Sequence, residues 1–342
     1  MNRKYFFEAI CIYIIFVTIF SACKKDEIML STNDIKKFQI VQSKIIYNSK
    51  PVQLIGANAF HVFSSGSTDM NIWKIDIVRE FIGNMKETPI NGNTILDSNG
   101  AYLYSLQRII DDNRANNRIT ILCPFGWDGL ASTEFTGKSP AQTSWWNDYK
   151  IKLAQWAKQF KNQEDVWIEV WNEPYRYDRK DGYTDDLWMQ NMNELVSIIR
   201  SMENENIILV PCAEQGQDES VLLNKGGDFL RNKSNILFDI HAYEKWLLEN
   251  DDIINNRLEV LKQKNLPIFF GETAPLNAGL LMNTKPFLEI IYKRGLSVSA
   301  WVWKKDENDV DALLTKSGLP NNNKNNNWGT TFYTISTQVR NP

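Results

Sequence analysis

Eight short apolar runs recur along this chain with helical stretches between them, and that alternation limits the possible folds more than any other feature. The runs are "VQLIGAN", "IDIVREFIG", "RITILCPFG", "VWIEVWNEP", "NIILVPC", "ILFDIHAY", "LPIFFGET" and "LSVSAWVW". Most are separated by stretches with apolar residues at helical spacing, such as "AYLYSLQRIIDDNRA", "WWNDYKIKLAQWAKQF", "LWMQNMNELVSIIRSM" and "NNRLEVLKQK". Strand then helix, repeated, implies a parallel sheet, and strands this continuously apolar are buried on both faces. An open doubly wound sheet would carry a Gly-rich phosphate loop after its first strand, and "VQLIGAN" leads into none. Two separate α/β domains would want a linker near the middle, where no Pro/Ser/Gly-rich stretch occurs. The expected fold is therefore an α/β (β/α)8 barrel. It is preceded by a β-hairpin turning at Asn48-Ser49-Lys50-Pro51, and the segment "PNNNKNNNW" reads as a solvated loop before a last helix or turn.

The composition of the 342 residues, 43% hydrophobic with 12 tryptophans, supplies a large core and aromatic faces on which sugars stack. A formal charge of -3 without a basic cluster lacks the footprint that phosphate binding needs, so nucleic acid is not an expected partner. Arg3 and Lys4 precede the apolar run "AICIYIIFVTIF", too short to span a bilayer, which ends in "FSAC". Residues 1–22 thus read as a signal peptide, and "FSAC" resembles the lipobox of bacterial lipoproteins, which makes Cys23 the lipidated residue. The following "KKDE" looks like the acidic export tag of surface lipoproteins. Residues 23–34 become a tether and 35–342 the folded domain, expected as a monomer at the outer membrane or cell surface, the alternative being a periplasmic or secreted protein. With Cys11 in the signal, only Cys123 and Cys212 remain, each at the end of an apolar run, and no disulfide is expected. His61 and His241 are the only histidines, with no Cys or Asp/Glu grouping at ligand spacing, so neither a metal nor another cofactor is expected.

In a barrel of this kind the active site forms at the C-terminal ends of the strands, so the polar residues ending each run belong together. The second run offers Arg79, the fourth Asn172 and Glu173, the sixth His241 and Tyr243, the seventh Glu272, and the eighth Trp301 and Trp303. Two carboxylates facing each other across the mouth are the equipment for glycoside hydrolysis. Trp127 also ends a strand and is a stacking candidate, whereas Glu214, Asp128 and His61 are cleft residues without an assignable role.

These strand ends resemble those of the family 5 glycoside hydrolases of clan A, which are retaining β-glycosidases on the same barrel. "WNEP" is similar to the family's strand-four motif, whose Glu is the acid/base, and "FFGETA" to its strand-seven motif, whose Glu is the nucleophile. Arg79 in "IVREF" matches the strand-two Arg, "IHAY" matches the strand-six His and Tyr, and "AWVWKKDEND" resembles the strand-eight segment with its sugar-stacking Trp, for which Trp303 is preferred over Trp301. The similarity covers residues 38 to about 335. One departure is clear: many members carry a His at the end of strand three, where this chain has "LCPFGWDG", leaving Trp127 or His61 to occupy the space.

The resemblance implies that Glu173 is the acid/base and Glu272 the nucleophile, with Arg79 and Tyr243 keeping Glu272 ionised. A second carboxylate at roughly 5 Å raises the pKa of the acid, and esterification of the nucleophile then lowers it, so one residue serves both steps. Asn172 is placed to hydrogen-bond the sugar 2-hydroxyl. Tryptophans along a cleft suit a β-1,4-linked glucan, xyloglucan or mannan, cut endo-wise. A glycan-binding protein that has lost turnover is the alternative from another class, and a transglycosylase would use the same residues.

Overall fold

The computed structural model describes residues 38–63 and 68–340, so the expectations for the signal peptide, Cys23 and the tether lie outside the described residues. The eight apolar runs form the eight parallel strands of one closed barrel. In chain order these are β1 (Ile55–Ala59), β2 (Ile77–Ile82), β3 (Ile119–Pro124), β4 (Val166–Glu169), β5 (Ile208–Pro211), β6 (Ile236–Ala242), β7 (Ile268–Thr273) and β8 (Val298–Ala300), with β8 pairing β1 to close the ring. Among the described residues six helices of nine residues or more surround or follow them: α1 (Leu106–Ala115), α2 (Trp146–Phe160), α3 (Asp185–Ser201), α4 (Asp251–Gln263), α5 (Lys285–Lys293) and α6 (Trp328–Thr337). Between β1 and β2 the crossover is made by short 3-10 turns instead of an α-helix.

The sequence marks where helices begin. Ser105, Thr184 and Asn250 each accept a hydrogen bond from the backbone N–H three residues on, capping α1, α3 and α4, and paired aspartates at 185–186 and 251–252 sit in the positive first turn of the latter two. The helices bury their apolar faces against the outward residues of the strands. Inward residues of alternate strand positions, including Ile77, Ile121, Trp167, Leu209, Leu237 and Phe269, pack as a separate apolar plug in the lower barrel.

The N-terminal segment carries the expected hairpin, in which Lys44–Tyr47 turns at Asn48 and Ser49 into Lys50–Pro51; a further antiparallel strand, Phe38–Val41, precedes it to make a three-stranded sheet. This sheet caps the bottom of the barrel, with Phe38 edge-on to Trp167 at 5.6 Å and the Ile40 N–H donating to Asn235. A cavity of about 350 Å³ beneath it, lined by Lys44, Val52, Leu258 and Arg294 among others, lies at the end opposite the polar residues at the strand ends. Cys123 and Cys212 are buried free thiols. Among the described residues no helix is long and apolar enough to cross a membrane.

Closure of the barrel needs a glycine at position 56. A Cβ there would fall against the Ser299 hydroxyl and within 2.7 Å of the Ile77 carbonyl oxygen, where β8, β1 and β2 approach most closely. Gly56→Ala should destabilise the fold by about 1–3 kcal/mol, read as a lower melting temperature. An unchanged melt would show that the strands can separate there at no cost.

Candidate active site

Arg79 occupies the centre of the barrel, fully buried, one inward step above the apolar plug. Its guanidinium makes a two-bond fork to Glu169 (2.6 and 2.8 Å), and donates to Glu272 Oε1 (2.7 Å), Asn172 Oδ1 (2.8 Å) and Asn58 Oδ1 (3.1 Å). Side chains from β1, the β4 segment and β7 thus converge on one cation. Asn58 in turn donates to the carbonyls of Gly271 and Ala300, tying β1 across the closure to the last two strands, β7 and β8.

Glu272 reaches this centre because β7 carries a bulge. Ile240 pairs with Phe270 but His241 pairs with Glu272, so Gly271 is an extra residue in the ladder. Phe270 faces the helices, where it packs on Trp246 and Phe287, and strict alternation would send Glu272 the same way. The bulge turns Glu272 inward. Only glycine fits at 271, because its N–H is bonded by Asp239 Oδ1 (2.6 Å) and a Cβ would collide with that carboxylate. Tyr243 donates to Glu272 Oε2 (2.8 Å), so each carboxylate oxygen has one donor.

Glu173 sits across the mouth, its nearest carboxyl oxygen within 4.8 Å of one on Glu272. Its backbone is left-handed (φ 46°), a conformation uncommon for Glu that is held by hydrogen bonds between the 172–175 segment and the loop after β3, including Gly137 N–H to the Glu173 carbonyl (2.8 Å). Burial and the charge of Glu272 push the Glu173 carboxyl above the usual range, opposed by His241 and Thr136. His241 Nδ1 lies 2.9 Å from Glu173, while its Nε2 lies 3.4 Å from both Asp239 and Arg79. Burial disfavours the charged imidazole, but Glu272, Asp239 and Glu173 outweigh it and hold its pKa well above the ordinary value. Burial and the two facing carboxylates raise Tyr243 as well, so its hydroxyl keeps the proton it donates. Asn172 donates to Thr136 Oγ1 (3.1 Å), fixing its amide.

Among the described residues two groups have the spacing of metal ligands, Glu169 with Asp239 and His241, and Glu173 with His241 and Glu272. The Arg79 guanidinium contacts a member of each, Glu169 in the first and Glu272 in the second.

Three expectations from the sequence are corrected. Trp303 is buried, with its indole against Trp73 at 5.4 Å in the layer outside the strands, so it has no face for a sugar. Trp301, two residues earlier, points inward and is half-buried against Phe81 and Phe60. His61 is hydrogen-bonded to Glu80 (2.6 Å), which faces away from the barrel axis because its neighbour Arg79 faces toward it. Trp127 is 9% exposed and stacks on Trp145, which stacks on Trp171, so its ring serves packing. Of the residues without a role, Asp128 accepts from Thr133 and the Leu130 N–H within its own loop, and Glu214 is bonded by Arg179 and Lys245. Sequence reading passed over Asn58, Glu169, Asp239 and Thr136. The alternation of β2, β4 and β6 carried a signal for Glu169 and Asp239, as charged residues inside apolar strands need a partner.

Comparison with known proteins follows the same lines. The family model described as cellulase, glycosyl hydrolase family 5, matches residues 46–307. A β-mannanase from Streptomyces thermolilacinus superimposes with a TM-score of 0.65 at 17% identity, over 89% of this chain and 97% of that one. For a β-mannanase from Thermomonospora fusca the values are 0.66, 16%, 89% and 97%. The catalytic domain of an endoglucanase from Thermobifida fusca gives 0.63, 17%, 88% and 97%. At these identities the likeness to solved structures concerns the fold. No curated protein sequence matches the chain.

The buried Glu169 makes a pH effect. Burial, only partly offset by Arg79 and reinforced by Asp239, raises it to about 7. The unfolded chain loses this proton near about 4.3. Between those values the native state holds a proton that the unfolded state has released, so its stabilisation is complete below the lower value and is lost as pH rises through the upper one. Melting temperatures from pH 4 to 8 should fall less steeply for Glu169→Gln than for the wild type; parallel curves would mean that Glu169 does not hold this proton.

Proposed function

From the premise that this chain belongs to glycosyl hydrolase family 5 and is a glycoside hydrolase, we propose that it cleaves a β-1,4-linked glucan or mannan at internal bonds by double displacement. The observation that carries the reading is the pair Glu173 and Glu272, with carboxyl oxygens within 4.8 Å. A spacing of roughly 5 Å leaves no room for a water between carboxylate and sugar, so the facing carboxylate itself attacks. The structurally similar proteins support the substrate class: β-mannanases, one of them with mannohexaose, and an endoglucanase.

In the first step Glu272 forms a bond to the anomeric carbon as the bond to the leaving oxygen breaks and Glu173 delivers its proton to that oxygen. In the second, water attacks the same carbon, Glu173 takes the water's proton, and Glu272 leaves as a carboxylate. The repulsion that raises Glu173 disappears while Glu272 is esterified, which suits Glu173 to act as acid first and base second. Arg79 and Tyr243 hold both oxygens of Glu272 and balance its charge. His241 orients Glu173, and Asn172 is the donor for the 2-hydroxyl.

The reading extends to location. Polysaccharide is met outside the cytoplasm, and export with a lipid on Cys23 would leave the barrel tethered through residues 23–34 at the outer membrane or cell surface.

Removing the acid should cost about 10²- to 10⁴-fold on an ordinary glycan. Glu173→Ala should keep activity on aryl glycosides whose leaving group needs no proton, and azide should accelerate it and yield a β-glycosyl azide. Glu272→Ala should be inactive on both substrates. An α-configured first product in a proton NMR time course, or β-azide formed by the Glu272 variant, would reverse the assignment.

A further inference from the structure

The end of the barrel opposite the mouth carries a charge that the chain as a whole does not. Three segments border the cavity there: residues 43–53 of the N-terminal sheet, 258–268 at the end of α4 and 291–297 at the end of α5. Together they hold six cations, Lys44, Lys50, Lys262, Lys264, Lys293 and Arg294, and one acid, Glu259, in a chain whose acids outnumber its cations by 41 to 38. The five lysines are exposed. Among the described residues only Arg294 of the six has a carboxylate within 4.0 Å, that of Glu259 at 3.5 Å. Surface lysines elsewhere find one, as Lys161 does in Glu203 and Lys225 in Asp186, each at 2.6 Å.

Cations at helix C-termini complement the macrodipole, which accounts for the four on α4 and α5. It does not account for Lys44, which belongs to a strand and yet lines the same cavity of about 350 Å³ as Lys262 and Arg294. Such a volume lies within the range of small-molecule sites, about 300–1,000 Å³. Ile45, Leu258 and Leu266 give the cavity a buried apolar side, so one part of it takes carbon and the other takes negative charge. A free anion would leave the apolar side unused, and a neutral glycan would leave the cations unused. An amphiphile with an anionic head uses both.

The mouth has the opposite sign. Residues 173–186, 214–219, 244–252 and 304–311, which follow β4, β5, β6 and β8, contain sixteen acids and six cations. An anionic surface therefore attracts the base and repels the mouth over a Debye length of about 8 Å at physiological salt. The chain also leads into the base: Phe38, in the sheet beside the cavity, follows Cys23 by 15 positions, and 15 residues reach at most about 50 Å.

We propose that the base of the barrel is a membrane-docking surface, where Lys44, Lys262 and Arg294 hold the phosphate of an anionic lipid headgroup over the apolar side of the cavity and the mouth faces away from the bilayer. The inference rests on the location reading only for the presence of a membrane nearby, since no acyl chain takes part in these contacts.

Sedimentation with vesicles tests it on the full chain carrying Cys23→Ser, so that no lipid on residue 23 contributes. Binding to phosphatidylcholine vesicles containing about 30% phosphatidylglycerol should exceed binding to pure phosphatidylcholine by about tenfold or more at low salt, and fall toward it as salt is raised. Lys44→Glu combined with Lys262→Glu should lower the anionic binding by about 25-fold or more, at about fivefold for each cation removed. Its kcat/KM on glycan should stay that of the parent, because both side chains lie at the end away from Glu173 and Glu272. Lys44→Gln with Lys262→Gln takes its place if the reversed pair lowers the melt. Dihexanoyl phosphatidylglycerol should displace the parent from vesicles, and inorganic phosphate at equal ionic strength should not. Equal binding to both vesicle types, or equal binding of parent and variant, would overturn the docking surface; displacement by phosphate as effective as by the short-chain lipid would replace it with a free-anion site. Base-dependent binding together with no incorporation of radiolabelled fatty acid at Cys23 of the wild type would uphold the surface and overturn the anchor.

Discussion

A single buried cation organises this molecule. The Arg79 guanidinium has no contact with solvent, and moving it into the barrel is costly unless every donor is matched. It is matched by Glu169 through two bonds and by Glu272, Asn172 and Asn58 through one each. Those partners come from the first, fourth and seventh strands or the segments just beyond them, so the charge requires the barrel to close in one register. Removing one side of such an arrangement leaves an uncompensated charge in the interior, which typically costs about 3–5 kcal/mol. The same contacts that make Arg79 tolerable as a core residue hold Glu272 where it can react.

The polar layer around Arg79 is graded in charge. Glu169 lies below it, raised to about 7 by burial, and Asp239 is braced by the Gly271 N–H. His241 links Asp239 and Arg79 on one side of its ring to Glu173 on the other, so the acid across the mouth is oriented through the same network. The bulge at Gly271 connects backbone to chemistry: the extra residue both turns Glu272 inward and presents the N–H that Asp239 accepts. Stability and reactivity therefore share residues, and substitution at Gly271 or Asp239 reaches both.

Much of the barrel was legible because its strands are apolar on both faces and most are followed by an amphipathic helix, three of them capped by Ser105, Thr184 and Asn250. The residues at the strand ends, Arg79, Asn172, Glu173, His241, Tyr243 and Glu272, were legible because polar groups there interrupt runs that are otherwise continuous. The direction of side chains past the last ladder pair was less so. Trp301 and Trp303 share a strand face by alternation, yet the chain leaves the ladder at Ala300, and only Trp301 stays at the mouth while Trp303 folds against Trp73. His61 follows a strand end in the same way and turns outward to meet Glu80. Glu169 and Asp239 sit inside strands, where the surrounding apolar residues hide them from a reading that looks only at termini. The ring cluster of Phe60, Phe81, Phe125 and Trp301 is likewise a three-dimensional fact, assembled from the ends of four strands and scattered along the sequence.

The central claim is that Glu272, held by Arg79 and Tyr243, becomes covalently attached to sugar during turnover. The most direct measurement is mass spectrometry of proteolytic fragments after incubation with a 2-deoxy-2-fluoro-β-glycoside of a β-1,4-linked oligosaccharide bearing an activated leaving group, since the fluorine slows release of the intermediate. The account predicts a mass increase of one glycosyl unit on the fragment carrying Glu272. Attachment to the fragment carrying Glu173, or consumption of the reagent with no adduct on either carboxylate, would contradict it.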